Sequence, residues 1–257
     1  METIVTALAA QQAELSALVS PVDAAAWALP SRCEGWTIAD VMLHLAQTNE
    51  MAIASANGDF AASLETLAGG ISTERTERAV GTVEDGAGLL VDEERGASAT
   101  VVHDRWQASV AGLDAALRAG DPHRRVMWVA GELSARTLAT TRLTETWIHT
   151  GDVAFGLGVD VAPTDRLWHV ARLAWRTLPY AFEGAGRTLT GPVAFELVGP
   201  GGEAWDFRPD DAPTTVIRGA GADLCLVAAR RADPAHVDLR GEGPDAAAVL
   251  ELVRTFA

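Results

Sequence analysis

The chain has 257 residues, long enough for one large domain or two modest ones. It carries 35 acidic against 20 basic residues, a formal charge of −15, with 48 % hydrophobic and 21 % charged residues, the balance of a protein that buries a core. Every basic residue is arginine, so a Schiff-base lysine mechanism is excluded, and the acidic excess without a basic cluster argues against nucleic acid and anionic membrane as partners.

The start, Met1-Glu2-Thr3-Ile4, lacks the basic residues and apolar run of a secretory signal, and no later segment approaches the roughly 18 apolar residues of a membrane span. Residues 2–19 space Ile4, Val5, Leu8, Leu15 and Leu18 as a helix. Pro21 and Pro30 bracket a connection. A second helix is expected from Thr37 toward Ala56, because Thr37-x-x-Asp40 reads as a capping box with aspartate in place of glutamate. Over 58–100, Gly69-Gly70, Gly81, Gly86 and Gly88 interrupt weak helical patterns, which predicts short helices and a mobile loop. Residues 101–119 align Val102, Trp106, Val110, Leu113 and Leu117 on one stripe, and a fourth long helix runs from a Ser134 cap to about Phe155, ended by Gly156 and Gly158. Four such helices predict an antiparallel bundle.

Beyond Pro163 the pattern changes. One amphipathic helix is expected over 164–183. Strands are expected at Pro192–Gly199, Trp205–Arg208, Thr214–Arg218 and His236–Arg240, the first two joined by the Gly199-Pro200-Gly201-Gly202 turn. Helices are expected at Ala222–Arg231 and Asp245–Phe256. The reading is therefore an all-helical domain over 1–160 and a smaller α+β domain over 161–257. The two cysteines, Cys33 and Cys225, lie far apart and read as reduced thiols of a cytoplasmic protein, Cys225 in the core and Cys33 packed in a loop with no base beside it.

The fourth helix holds the chemistry. At 100° per residue, Leu138, Arg142, Glu145, His149 and Asp152 fall within roughly a quarter of its circumference, with Leu143 and Trp147 opposite. Glu145 and His149 stand one turn apart, so both can reach one point and serve as ligands of zinc or a similar ion. The same stripe also fits a solvated face laced with salt bridges. His44 lies beside the apolar stripe of the second helix and reads either as a core histidine or as a third ligand supplied across the bundle. Asp40 fits both a capping role and a contact to the His44 ring. Asp152 reads as a surface carboxylate or as a group that orients His149 or acts as a base. Arg142 reads as a partner of Glu145 or an anchor for a substrate carboxylate, and Arg240 as a weaker anchor of that kind. Trp36 and Trp147 are packing residues or pocket walls. His103, His123, His169 and His236 have no partner spacing.

The run Cys33-Glu34-Gly35-Trp36-Thr37-Ile38-Ala39-Asp40-Val41-Met42-Leu43-His44-Leu45-Ala46 resembles the C-x-G-W-x-x-x-D-x-x-x-H-L-A signature of mycothiol-dependent maleylpyruvate isomerase-like proteins, members of the DinB-like metal-dependent superfamily. Arg142 through Ala154, followed by Leu157-Gly158, resembles that family's second signature, R-x-x-E-x-x-x-H-x-x-D-x-A-x-x-L-G. The segments Thr164–Ala171 and Gly219–Val227 are similar to an actinobacterial metal-binding subgroup with the same two-domain layout. The resemblance implies a DinB-like four-helix bundle followed by a sterol-carrier-like α+β domain, with zinc or another divalent metal on His44, Glu145 and His149.

It also implies an enzyme acting on a small electrophilic metabolite with a low-molecular-weight thiol, mycothiol, as co-substrate, that is, an isomerase or a transferase. The alternatives are a thiol-independent metal-dependent hydrolase, lyase or cyclase of secondary metabolism, and a non-enzymatic metal-stabilised module that binds a small ligand. Asp152 and Arg142 are the candidate catalytic residues, Arg142 and Arg240 the candidate substrate contacts, and the expected assembly is a monomer or homodimer.

Overall fold

Helix ends form where the caps place them in the computed structural model, which describes residues 1–68, 83–129 and 131–255. Its contacts divide the chain into two compact units, Met1–Val161 and Ala162–Ala257.

In the first unit, α1 (Glu2–Val19) buries Ile4, Val5, Leu8, Leu15 and Val19. After a short α2 (Ala24–Trp27), α3 (Ile38–Asn57) starts at a complete capping box: the Thr37 side chain accepts from the Asp40 amide, and Asp40 accepts from the Thr37 amide. It ends at Gly58, whose φ of +93° suits a residue without a Cβ. Two shorter helices follow, α4 (Phe60–Ala68) and α5 (Val83–Glu94). The loop expected near Gly69-Gly70 and Gly81 lies outside the described residues. Helix α6 (Ala99–Ala119) is capped by Ser98 and buries Val102, Trp106, Leu113 and Leu117, and α7 (Ala135–Leu157) runs from the Ser134 cap to a left-handed Gly158.

Helix α3 packs on both α6 and α7, and α1 on α7, so α7 has apolar neighbours on several sides. A hairpin that the sequence reading did not anticipate, β1 (Arg125–Trp128) with β2 (Gly131–Ser134), leads into α7; Val126 and Trp128 alternate inward.

The second unit is α+β. Strands β3 (Val193–Val198), β4 (Ala204–Phe207), β5 (Thr215–Ala220) and β6 (Leu239–Glu242) form one sheet in the order β4-β3-β5-β6. β3 and β4 form the expected antiparallel hairpin, β5 lies parallel to β3, and β6 is antiparallel to β5. Phe195, Leu197, Phe207 and Ile217 are buried.

The single helix expected over 164–183 is instead two, α8 (Leu167–Arg176) and α9 (Leu178–Gly184), because Pro179 has no N–H to continue the ladder. The strand expected from His236 begins at Leu239, since Asp233 caps a short 3₁₀ turn over Pro234–His236. Helix α10 (Gly221–Ala228) follows β5, and the last helix, α11 (Ala246–Leu252), stops at an extended Val253 rather than at Phe256. No helix among the described residues is long and apolar enough to cross a membrane.

Candidate metal centre

Two elements and one loop of the first unit build the site. Helix α3 holds His44 two turns beyond its cap, and α7 presents Glu145 and His149 one turn apart. Four buried threonines of α7, Thr141, Thr144, Thr146 and Thr150, satisfy their hydroxyls by donating to a carbonyl one turn back on the same helix.

The loop Pro30–Thr37 is clamped onto the end of α7. The Arg32 amide donates to the Asp152 carbonyl at 3.2 Å, Ser31 Oγ donates to the Trp36 carbonyl at 2.8 Å, and Pro30 bridges to Thr37. Gly156 permits that approach, because a Cβ there would sit 2.7 Å from the Pro30 carbonyl oxygen.

These elements bring three expected ligands together. His44 Nε2 lies 2.8 Å from Glu145 Oε1, and His149 Nε2 lies 3.6 Å from the same oxygen. Donor atoms of the three residues all fall within 4.8 Å of one another, and their side chains are only 8 to 13 % exposed. Two imidazoles and one carboxylate form a donor set of the kind that holds zinc in catalytic sites, where three protein ligands leave one position open. The Trp36 ring stands 5.2 Å from the His44 ring and walls one side.

Asp152 is fully buried, not a surface carboxylate: Oδ2 lies 2.9 Å from His149 Nδ1. The solvated-stripe reading of α7 fails for the same reason, since this helix is covered on several faces. Cys33, read as a packing residue with no base nearby, has its Sγ 3.2 Å from Asp152 Oδ2 and 3.8 Å from His149 Nδ1. Its one legible signal was its place in the first signature. Cys33, His149 and Asp152 make a second compact group of potential ligands. Asp40 is engaged by the cap and lies 3.3 Å from Arg95.

Arg142 is fully buried. It donates to Thr48 Oγ1 at 2.8 Å and Asn49 Oδ1 at 3.3 Å, and Nη1 stands 3.6 Å from Glu145 Oε2. Its guanidinium thus braces the site from inside. Arg240 belongs to the second unit, 80 % exposed on β6 beside Asp238. Trp147 is half-buried.

Burial works against the Glu145 carboxylate, but the neighbouring His149 and His44 imidazoles and the Arg142 charge overcome it and hold its pKa well below the usual carboxylate range. Burial dominates at His44 and lowers its pKa, outweighing Glu145, which favours the neutral ring that a metal ligand needs. Burial also opposes charge on His149, yet Asp152, Cys33 and Glu145 together raise it well above the ordinary value. A raised folded-state value stabilises the fold fully below the unfolded pKa of about 6.5 and loses that contribution as pH rises from there through the folded-state value. The melting temperature of chelator-treated protein is therefore expected to fall as pH climbs above about 6.5. His149→Gln should flatten that slope in a thermal-melt series; an equal slope in the variant would contradict the assignment.

With this geometry in place, the comparisons are specific. The family model described as the mycothiol maleylpyruvate isomerase N-terminal domain matches residues 8–154, a span that contains all three candidate ligands. Two uncharacterised proteins of Mycobacterium tuberculosis, one from each of two strains, are 34 % identical over 251 residues, 97 % of this chain and 93 % of theirs. Two crystal structures of mycothiol-dependent maleylpyruvate isomerase share the fold. A histidine-to-alanine mutant superposes with a TM-score of 0.60 at 22 % identity, and a second structure with 0.57 at 21 %, each covering 95 % of both chains.

Proposed function

The chain belongs to the mycothiol maleylpyruvate isomerase N-terminal domain family, and on that premise we propose that it is a metal-dependent, thiol-dependent isomerase acting on a small electrophilic metabolite. The observation that carries the reading is the convergence of His44, Glu145 and His149 on one buried point. These three residues would hold zinc or a similar divalent ion, which supplies a Lewis acid that favours thiolate over thiol at neutral pH.

The chain's own residues do the rest. The surroundings described above favour the ionised form of Glu145 and the neutral form of His44, and Asp152 Oδ2 lies 2.9 Å from the far nitrogen of the His149 ring. Arg142 balances part of the buried negative charge without leaving its place in the bundle. Trp36 shields the His44 side from water.

The substrate class this reading takes from the family is a conjugated alkene next to a carbonyl, of which maleylpyruvate is one example. Thiolate sulfur bonds to one alkene carbon while the π electrons move onto the conjugated carbonyl. The former double bond rotates, the C–S bond breaks, and the alkene reforms in the other geometry with the thiol returned unchanged. If the enolate instead took up a proton from water at the α-carbon and the C–S bond persisted, the same site would act as a transferase.

The test is turnover of a cis-configured unsaturated keto-dicarboxylate, followed by absorbance, with mycothiol present or omitted and before or after chelator dialysis. Activity is expected only with both thiol and metal, and zinc should restore the dialysed protein. Full turnover without any thiol, or after complete metal removal, would contradict the proposal.

A further inference from the structure

His149 has two ring nitrogens, and each faces a different set of groups. Nε2 points toward Glu145 and His44, while Nδ1 points toward Asp152 and Cys33. Bound to a metal, an imidazole is neutral, with one N–H and one lone pair, so His149 serves only one of these sets as a ligand. The distances decide which.

Asp152 Oδ2 is 2.9 Å from Nδ1, a good hydrogen bond, and a carboxylate oxygen accepts the ring N–H there. Nδ1 therefore carries the proton. Glu145 Oε1 is 3.6 Å from Nε2, beyond hydrogen-bond reach, so Nε2 is the nitrogen left for a metal on the His44–Glu145 side.

The Cys33 thiol completes the arrangement. Its Sγ is 3.2 Å from the same Oδ2, and the thiol donates to the carboxylate. Asp152 is fully buried, and its backbone carbonyl is held by the Arg32 amide at 3.2 Å. The Cys33 amide donates to Ser31 Oγ at 3.1 Å, which fixes the thiol's own position in the loop. We infer that Cys33 and Asp152 are a positioning pair for His149: the thiol pins the carboxylate, and the carboxylate fixes the ring with Nδ1 protonated and Nε2 free for a metal. In this role Cys33 is neither a nucleophile nor a ligand. The inference rests on the metal reading of His44, Glu145 and His149.

The test is titration of the full chain with Co²⁺, a spectroscopic stand-in for zinc, in wild type, Asp152→Ala, Asp152→Asn, Cys33→Ala and Cys33→Ser. Circular dichroism serves as the folding check. Asp152→Ala is expected to weaken Co²⁺ binding about 10- to 100-fold, the usual effect of losing a carboxylate behind a metal-bound histidine. Asp152→Asn keeps an acceptor in place and should fall between it and wild type. Cys33→Ser keeps a donor and should bind more tightly than Cys33→Ala.

The spectra separate positioning from ligation. Wild type and Cys33→Ser should give the same visible bands, with no sulfur-to-cobalt charge-transfer absorption in either. Such a band in wild type that vanishes in Cys33→Ser would make Cys33 a ligand and overturn the inference, as would wild-type affinity in both alanine variants. Wild-type protein that takes up no Co²⁺ would instead remove the metal reading itself, and this inference with it.

Discussion

Glu145→Ala is expected to abolish metal uptake and to destabilise the metal-free fold by about 3–5 kcal/mol, the range for breaking a buried ion pair on one side. The reason is the group left behind. Arg142 is fully buried, and Glu145 is the anion that faces it across 3.6 Å. Thr48 and Asn49 bond the guanidinium but carry no charge, and arginine's high proton affinity keeps it cationic in spite of burial.

Removing the carboxylate also leaves His44 Nε2 without its 2.8 Å partner. Glu145→Gln keeps the shape and an acceptor and should lose less stability while still losing the metal. Adding Arg142→Met to Glu145→Ala removes the orphaned charge and is expected to recover part of the loss. Urea unfolding in chelator measures all four proteins. A loss within experimental error for Glu145→Ala would show that the ion pair is not part of the framework.

The second large effect is expected at a residue that contacts no ligand. A Cβ at Gly156 would lie 2.7 Å from the Pro30 carbonyl and 3.2 Å from two atoms of Ile38. The first neighbour is backbone and cannot give way as a side-chain tip would, so Gly156→Val must push the Pro30–Thr37 loop off α7. A cost of about 1–3 kcal/mol is expected from overpacking, together with weaker metal binding as Cys33 and Trp36 move with the loop.

Gly151 is the matched control on the same helix. A Cβ there meets nothing within 4 Å, so Gly151→Ala should be neutral or stabilising by up to about 1 kcal/mol through helix propensity. Chemical denaturation separates the two; equal behaviour of Gly151→Ala and Gly156→Val would contradict the close approach.

Much of the site was legible because its parts are local or carried by motif. The Thr37–Asp40 cap placed α3 to within a residue, and the i, i+4 spacing put Glu145 beside His149. That His44 meets them across the bundle came from the resemblance rather than the period, which on its own favoured a core histidine.

Burial was harder to read. A charged stripe on an amphipathic helix and a charged stripe on a helix enclosed by neighbours have the same spacing, so Asp152 read as a surface carboxylate and a solvated face stayed open for Arg142 until α7 was seen to be covered. Cys33 was missed because its partners depend on how the loop folds back, which no periodicity encodes. In the second unit the strands could be marked by alternation, but the order β4-β3-β5-β6 could not, since pairing across a sheet is non-local.

The central claim is that His44, Glu145 and His149 form a divalent-metal centre, and metal analysis of the purified chain tests it most directly. After incubation with zinc and removal of excess, wild type is expected to hold one ion per chain, and His44→Ala and His149→Ala none while staying folded. Wild type that retains no ion, or folded alanine variants that retain a full equivalent, would contradict it.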